Sequence, residues 1–178
     1  MTGFRTLILS VPVIVVAGFN VISLDAQAPS PASQPASITV SVALERDRLP
    51  VGQKPLAAVT IRNISDRGVC LTNASLTYRV HVEGKDGEPP MTEFYRHLHG
   101  EYRPGDGPTL TDGPVICRPI AAGSSNRQQY DLTTYYDLGA PGKYSVYIEI
   151  QDPLAPLNKP LWLRTNTAKF EVVAQAGQ

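Results

Sequence analysis

Apolar and polar residues alternate with a period of two along much of the chain after position 37. Ile38, Val40, Val42 and Leu44 alternate with Thr39, Ser41 and Ala43, the pattern of a strand with one buried face. Leu49-Pro50-Val51-Gly52 reads as a turn, and Leu56 to Arg62 as a second strand carrying Ala57, Val59 and Ile61 on one side. A turn-rich Asn63–Gly68 precedes the short apolar Val69-Cys70-Leu71. Leu76, Tyr78, Val80 and Val82 then alternate up to a tight turn at Gly84-Lys85-Asp86-Gly87. Further strands are expected at Val115–Ile120, around Gln128–Leu132, and from Tyr144 to Ile150, where the alternation is clearest. After a Pro-rich connection at 152–160, a last strand carries Ala168, Phe170 and Val172. Thr133–Leu138 reads as a helical or wide turn. Seven to eight short strands between turn signals predict an all-β, Ig-like antiparallel sandwich.

Residues 88–114 break this rhythm. They hold five prolines and two of the three histidines, so a long irregular excursion is expected. Its densest part, Glu93-Phe94-Tyr95-Arg96-His97-Leu98-His99-Gly100-Glu101, followed by Tyr102, is the candidate recognition loop. On a strand His97, His99 and Glu101 would share a face; on a helix Glu93, His97 and Glu101 would. Either set offers nitrogen and carboxylate ligands to a transition metal, with His97 and His99 as the weak candidates. A single loop lacks the rigid shell that a metal site needs, so no metal and no cofactor is expected.

The start of the chain changes the picture most. Arg5, an apolar run from Leu7 to Leu24 and Asp25-Ala26-Gln27-Ala28 make a signal peptide. Cleavage after Ala26 is favoured over Ala28, because Pro29 would follow the second cut. This divides the chain into a signal at 1–26, a Pro/Ser/Ala linker at 27–36, the sandwich at 37–174 and a disordered tail at 175–178. The expected address is periplasmic or secreted, with a membrane attachment only if the signal stays uncleaved. Export also gives the two cysteines a meaning: Cys70 and Cys117 are expected to pair.

Lys+Arg and Asp+Glu both total 16, which leaves no basic excess for nucleic acid. With 42% hydrophobic and 18% charged residues the chain is too apolar for wholesale disorder. No Gly-x-Ser-x-Gly elbow, Walker pattern or Gly-x-Gly-x-x-Gly occurs. Asp106 and Asp112 lack the alternating oxygens of a calcium loop.

Asp131-Leu132-Thr133-Thr134-Tyr135-Tyr136-Asp137-Leu138, leading into Pro141-Gly142-Lys143-Tyr144, resembles a recurrent segment of uncharacterised exported bacterial Ig-like proteins. Val59–Asp66 is similar to the second strand and turn of the same group. The resemblance implies structural roles for Asp131, Asp137, Pro141, Gly142 and Tyr144, the last as a tyrosine corner. The strand order is also distantly similar to BsuPI-like proteinase inhibitors. The leading expectation is a non-enzymatic binding module for a protein or cell-envelope partner, with exposed Tyr135, Tyr136 and Tyr147 as further contacts. The alternative is a proteinase inhibitor presenting 88–114 or 152–160. A third is a metal-dependent enzyme built on His97 and His99.

Overall fold

A computed structural model describes residues 35–72, 75–108 and 114–174. The expected signal segment, most of the linker and the C-terminal tail lie outside the described residues. Ten strands occur among the described residues: β1 (Ile38–Leu44), β2 (Arg48–Pro50), β3 (Leu56–Asn63), β4 (Val69–Thr72), β5 (Tyr78–Glu83), β6 (Cys117–Ile120), β7 (Ser125–Asp131), β8 (Gly142–Gln151), β9 (Trp162–Arg164) and β10 (Ala168–Val173). One α-helix, α1 (Glu93–Leu98), joins them.

One layer is β1-β3-β7, antiparallel throughout. The other runs β2-β10-β8-β5, with β9 pairing the far end of β8. A two-stranded β4-β6 ribbon completes the sandwich. The all-β sandwich expected from the alternation is present, with more strands than the seven to eight anticipated. The additional ones are short. The turn expected at Leu49-Pro50-Val51-Gly52 is made by Val51 and Gly52, while Leu49 and Pro50 belong to Arg48–Pro50, which pairs in parallel with Glu171–Val173.

The alternation has its cause in the two layers. Val42, Val59 and Ile61 on one sheet face Val80, Val82, Val146, Ile148 and Phe170 on the other, all buried. A one-residue slip in any of these strands would turn the whole apolar set to solvent, which fixes register. Five tyrosines fill one region of the core: Tyr78, Tyr95, Tyr130, Tyr135 and Tyr136 make edge-on contacts at 5.1–6.3 Å between ring centres, with one tilted contact at 6.4 Å. Tyr135 and Tyr136, expected on the surface, are therefore core residues, at 6% and 1% exposure.

Two asparagines and a disulfide secure three junctions. Asn63 is fully buried and donates to the carbonyls of Arg67 and Ile120 at 2.8 and 3.0 Å, while its Oδ1 accepts from Ser65. Three residues, 165–167, sit opposite the two residues 147–148, so a bulge separates β9 from β10. The bulge sends Asn166 across to β1, where its amide bonds both the N–H and the carbonyl of Val42, at 2.9 and 3.0 Å. Cys70 and Cys117 are bonded, with Cα atoms 5.4 Å apart and a sequence separation of 47. On the chain-entropy argument such a loop closure restricts the unfolded chain by about 4 kcal/mol.

Candidate functional site

The excursion after β5 does not stay irregular. Thr92 caps α1: its Oγ1 accepts from the Tyr95 N–H at 3.2 Å and donates to the Thr134 carbonyl at 2.7 Å. Glu93 in the first turn and Arg96 and His97 in the last suit the helix dipole. Gly100, at φ +74°, follows the helix end in the left-handed region that glycine adopts freely. Six residues cannot hold a helix by themselves, so tertiary contacts must.

Tyr95 supplies the inner contact. Its hydroxyl donates to the Val80 carbonyl at 2.7 Å and accepts from the Val80 N–H at 2.9 Å. The Tyr136 hydroxyl lies 2.9 Å from the same carbonyl and 2.5 Å from a Glu88 carboxylate oxygen. Because β5 ends its sheet, these phenols take over backbone groups that a further strand would otherwise pair. Burial pushes the Tyr95 hydroxyl up to about 12 and raises that of Tyr136 as well.

Arg96 and Asp106 supply the second hold. The guanidinium donates twice, Nη1 to Oδ2 at 2.9 Å and Nη2 to Oδ1 at 2.8 Å, and the two side chains are only 9% and 11% exposed. Asp106 Oδ2 also accepts from the Arg103 N–H at 2.7 Å and lies 3.1 Å from His97 Nε2. The Arg96 guanidinium, helped by the Arg103 N–H, holds the Asp106 carboxyl well below the usual carboxylate range. Glu93 Oε1 accepts from the Gly107 N–H at 2.9 Å, closing the loop onto the helix.

This arrangement corrects the expected recognition set. Tyr95, Arg96 and His97 are buried; Glu93, His99, Glu101 and Tyr102 are exposed. His97 does not group with His99, whose ring rests edge-on against Tyr95 at 4.6 Å. It groups with Glu93 and Asp106, ligand atoms within 4.8 Å of one another. The donor set fits a divalent cation poorly, since both Asp106 oxygens are occupied by N–H donors and a guanidinium touches the carboxylate. Asp106, dismissed in the sequence with an unsuitable calcium loop, is the centre of the network. The cue that could have found it is Arg96 ten residues upstream, an ion pair in reach once Gly100 and Gly105 reverse the chain.

The motif residues have structural positions. Asp131 accepts from the N–H and hydroxyl of Thr133 and from Lys54, at 2.6–3.0 Å. Burial works against the Asp131 carboxylate, yet these partners hold it below its ordinary range. Asp137 accepts from the Gly139 N–H at 3.0 Å. Tyr144 is buried, stacks on Phe170 and donates to the Ala140 carbonyl at 2.8 Å. The turn Ala140-Pro141-Gly142 thus lies under its ring, and a Cβ at Gly142 would meet that ring at 3.6 Å.

No protein-family model and no curated protein matches the chain. Among solved structures it is similar to the Pseudomonas fluorescens alkylpurine DNA glycosylase AlkC, with 11% identity over 77% of this chain and 30% of that one, at a TM-score of 0.40. A β-glucosidase from Listeria innocua gives 15% identity over 78% of this chain and 16% of that one, also at 0.40. A CARDB domain from Pyrococcus furiosus, in complex with metal ions, gives 14% identity over 78% and 93%, at 0.38. The chain spans less than a third of the length of the glycosylase and the glucosidase. At these scores the fold is defined by its own strand pairing.

Proposed function

We propose that the chain is an exported, non-enzymatic β-sandwich module that binds a protein or cell-envelope partner through the outward side of its 93–108 excursion. The observation that carries this reading is the nearly buried Arg96–Asp106 pair, which holds an exposed loop in one shape. A loop fixed before binding loses less freedom on contact, so its exposed groups contribute more of their interaction energy. Glu93, His99, Glu101 and Tyr102 are those groups, Tyr102 at 55% exposure. The polar atoms that chemistry would require at Asp106 are already satisfied by neighbours, which favours display over catalysis.

A photoreactive residue at Arg103, beside this surface, should form one discrete crosslink in envelope extracts, while one at Lys159 should not. The crosslink should vanish in H99A/E101A/Y102A. The same bands from both positions would refute the reading. Export is tested separately by fusing residues 1–36 to a reporter enzyme that is active only outside the cytoplasm.

A second reading has one observation of its own. Leu157 is 92% exposed on the 152–160 connection, and the base of that connection is pinned by buried Asp152 through its bonds to Ser37 and Leu154. A supported loop with a projecting apolar residue is what an inhibitor presents to a protease cleft. Inhibition of any enzyme in a protease panel, lost in Leu157→Asp, would favour this reading.

A further inference from the structure

The five-stranded sheet has an outward face as well as a buried one. Because Val80, Val82, Val146, Ile148 and Ile150 point into the core, their neighbours Arg79, His81, Tyr147 and Glu149 must point out. On β9, Trp162 and Arg164 share that side. Strand register places Glu149 opposite both Arg79 and Arg164, and His81 opposite Tyr147.

These side chains form a layer. Arg79 Cζ lies 4.1 Å from the centre of the Trp162 ring, and Arg164 Cζ 3.5 Å from that of Tyr147. His81 stacks on Tyr147 at 4.5 Å and 12°, with its Nε2 3.2 Å from Glu149. Since β5 and β9 flank β8 on opposite sides, Tyr147 is held between His81 and Arg164. Glu149, cross-strand to both arginines, is engaged by His81. Among the described residues neither Arg79 nor Arg164 has a carboxylate within 4.0 Å.

An unpaired arginine on a surface ordinarily points loosely into water. These two are laid flat on aromatic rings, so their freedom is already reduced while their N–H edges stay available. A flat guanidinium with open edges suits the two oxygens of a carboxylate. Their backbones lie on either side of β8, two strand spacings or about 10 Å apart, and both guanidinium groups lean inward onto rings carried by β8 and β9. We propose that this face binds the carboxylates of an anionic polysaccharide.

An acidic peptide would carry the same charges, but the setting favours the sugar polymer. A flexible peptide must be ordered on binding and gains most when its backbone can add to a sheet edge. Here the neighbouring edge of β5 is occupied at Val80 by the Tyr95 and Tyr136 hydroxyls. A chain of rigid pyranose rings needs no backbone partner and loses less freedom per carboxylate fixed. The proposal is independent of the 93–108 surface and concerns a different side of the sandwich.

Affinity electrophoresis of the full chain through gels containing polygalacturonate, neutral pullulan or poly-L-glutamate tests it. Wild type should be retarded by polygalacturonate only. R79Q/R164Q should weaken that retardation at least tenfold, and R79K/R164K, which keeps the charge and loses the planar fork, should recover only a part. R62Q/R127Q, with the same charge change on exposed positions of the other sheet, should behave as wild type. Absence of wild-type retardation, equal retardation by poly-L-glutamate, or an equal loss in R62Q/R127Q would each overturn the proposal.

Discussion

Replacing Tyr95 by Phe removes one oxygen from the core and leaves the ring in place. That oxygen serves both backbone groups of Val80, a residue with no exposed surface. If both groups were stranded, the loss would be twice the penalty of about 1–3 kcal/mol for an unsatisfied buried group. They are not equally stranded. The Tyr136 hydroxyl is 2.9 Å from the Val80 carbonyl and can turn its proton there by releasing Glu88, which is exposed and can be hydrated. Only the N–H has no substitute, so Tyr95→Phe should cost about 1–3 kcal/mol. Tyr136→Phe should cost about 1 kcal/mol, the typical net value of one bond, because Tyr95 still serves the carbonyl. The double variant should lose more than the sum, since the two hydroxyls share an acceptor. Tyr95→Ala, which also empties the ring's place, should cost about 3–5 kcal/mol. Urea unfolding followed by tyrosine fluorescence reads these values as shifts of the midpoint at constant slope. Size-exclusion chromatography alongside should show self-association of the double variant as the β5 edge is bared. A Tyr95→Phe midpoint equal to wild type, or strict additivity in the double variant, would refute the shared-hydroxyl account.

The remaining predictions concern titration. The Asp106 carboxyl is held below its ordinary value in the folded chain, so its stabilisation is in force above about pH 4 and is lost as acid titrates the folded group below that. Amide exchange at Arg103 and Gly107 should accelerate in that acid range, and Asp106→Asn should exchange fast at every pH; an unchanged pH profile in the variant would count against the staple. At the other extreme, burial raises Tyr95 to about 12 and displaces Tyr130, Tyr135, Tyr136 and Tyr144 in the same direction. Groups with raised folded values stabilise fully below about pH 10 and lose that contribution as pH climbs past it, Tyr95 alone by about 2 kcal/mol at pH 12. Absorbance at 295 nm should therefore show at least these five tyrosines ionising together with loss of near-ultraviolet dichroism, and ionisation with the dichroism intact would contradict their burial.

Strands β1, β3, β5, β8 and β10 were legible because each buries one face, and burial of one face writes a period of two into the residues. Strands β2 and β9 carry three residues each and no period of their own. Their strand character comes from partners, Val172 for Leu49 and Ile150 for Leu163, which lie far off or across a Pro-rich turn. Helix α1 was hidden for a similar reason. Its six residues have a cap but no repeat, and what stabilises them is a phenol bonded to a strand fifteen residues earlier. The candidate loop was recognised by its chemical density, and density does not report direction. Charged and aromatic residues in an irregular stretch suggest exposure, yet Arg96 is buried because Asp106 returns to it, and Tyr135 and Tyr136 because Val80 and its neighbours need a cover. The cysteine pair was legible because only two exist.

The two demands placed on the 93–108 excursion meet at the end of α1. A cover for β5 needs only Tyr95, Tyr136 and the helix that delivers the first of them. Most of the display surface, Glu101 and Tyr102 with the outer side of His99, lies beyond the helix and is exposed; of its groups only Glu93 stands on α1. Had the same residues served both roles, every contact with a partner would act on the sheet edge, and every loosening of the edge would blur the surface. The Arg96–Asp106 pair lies at the boundary, with Arg96 on the helix and Asp106 at the far side of the loop, so it closes the loop onto its own base. The loop's shape is thereby set by a contact that does not pass through the sandwich. Residues 99, 101, 102 and 104 can vary in chemistry while the cover remains, provided that Gly100 and Gly105 at their positive φ, the N–H of residue 103 and the carboxylate at 106 are kept. Replacing the whole of 93–101 would remove Tyr95 and unfold the edge together with the surface. The separable unit is the loop after His99, and variation confined to it leaves the hold on Val80 intact.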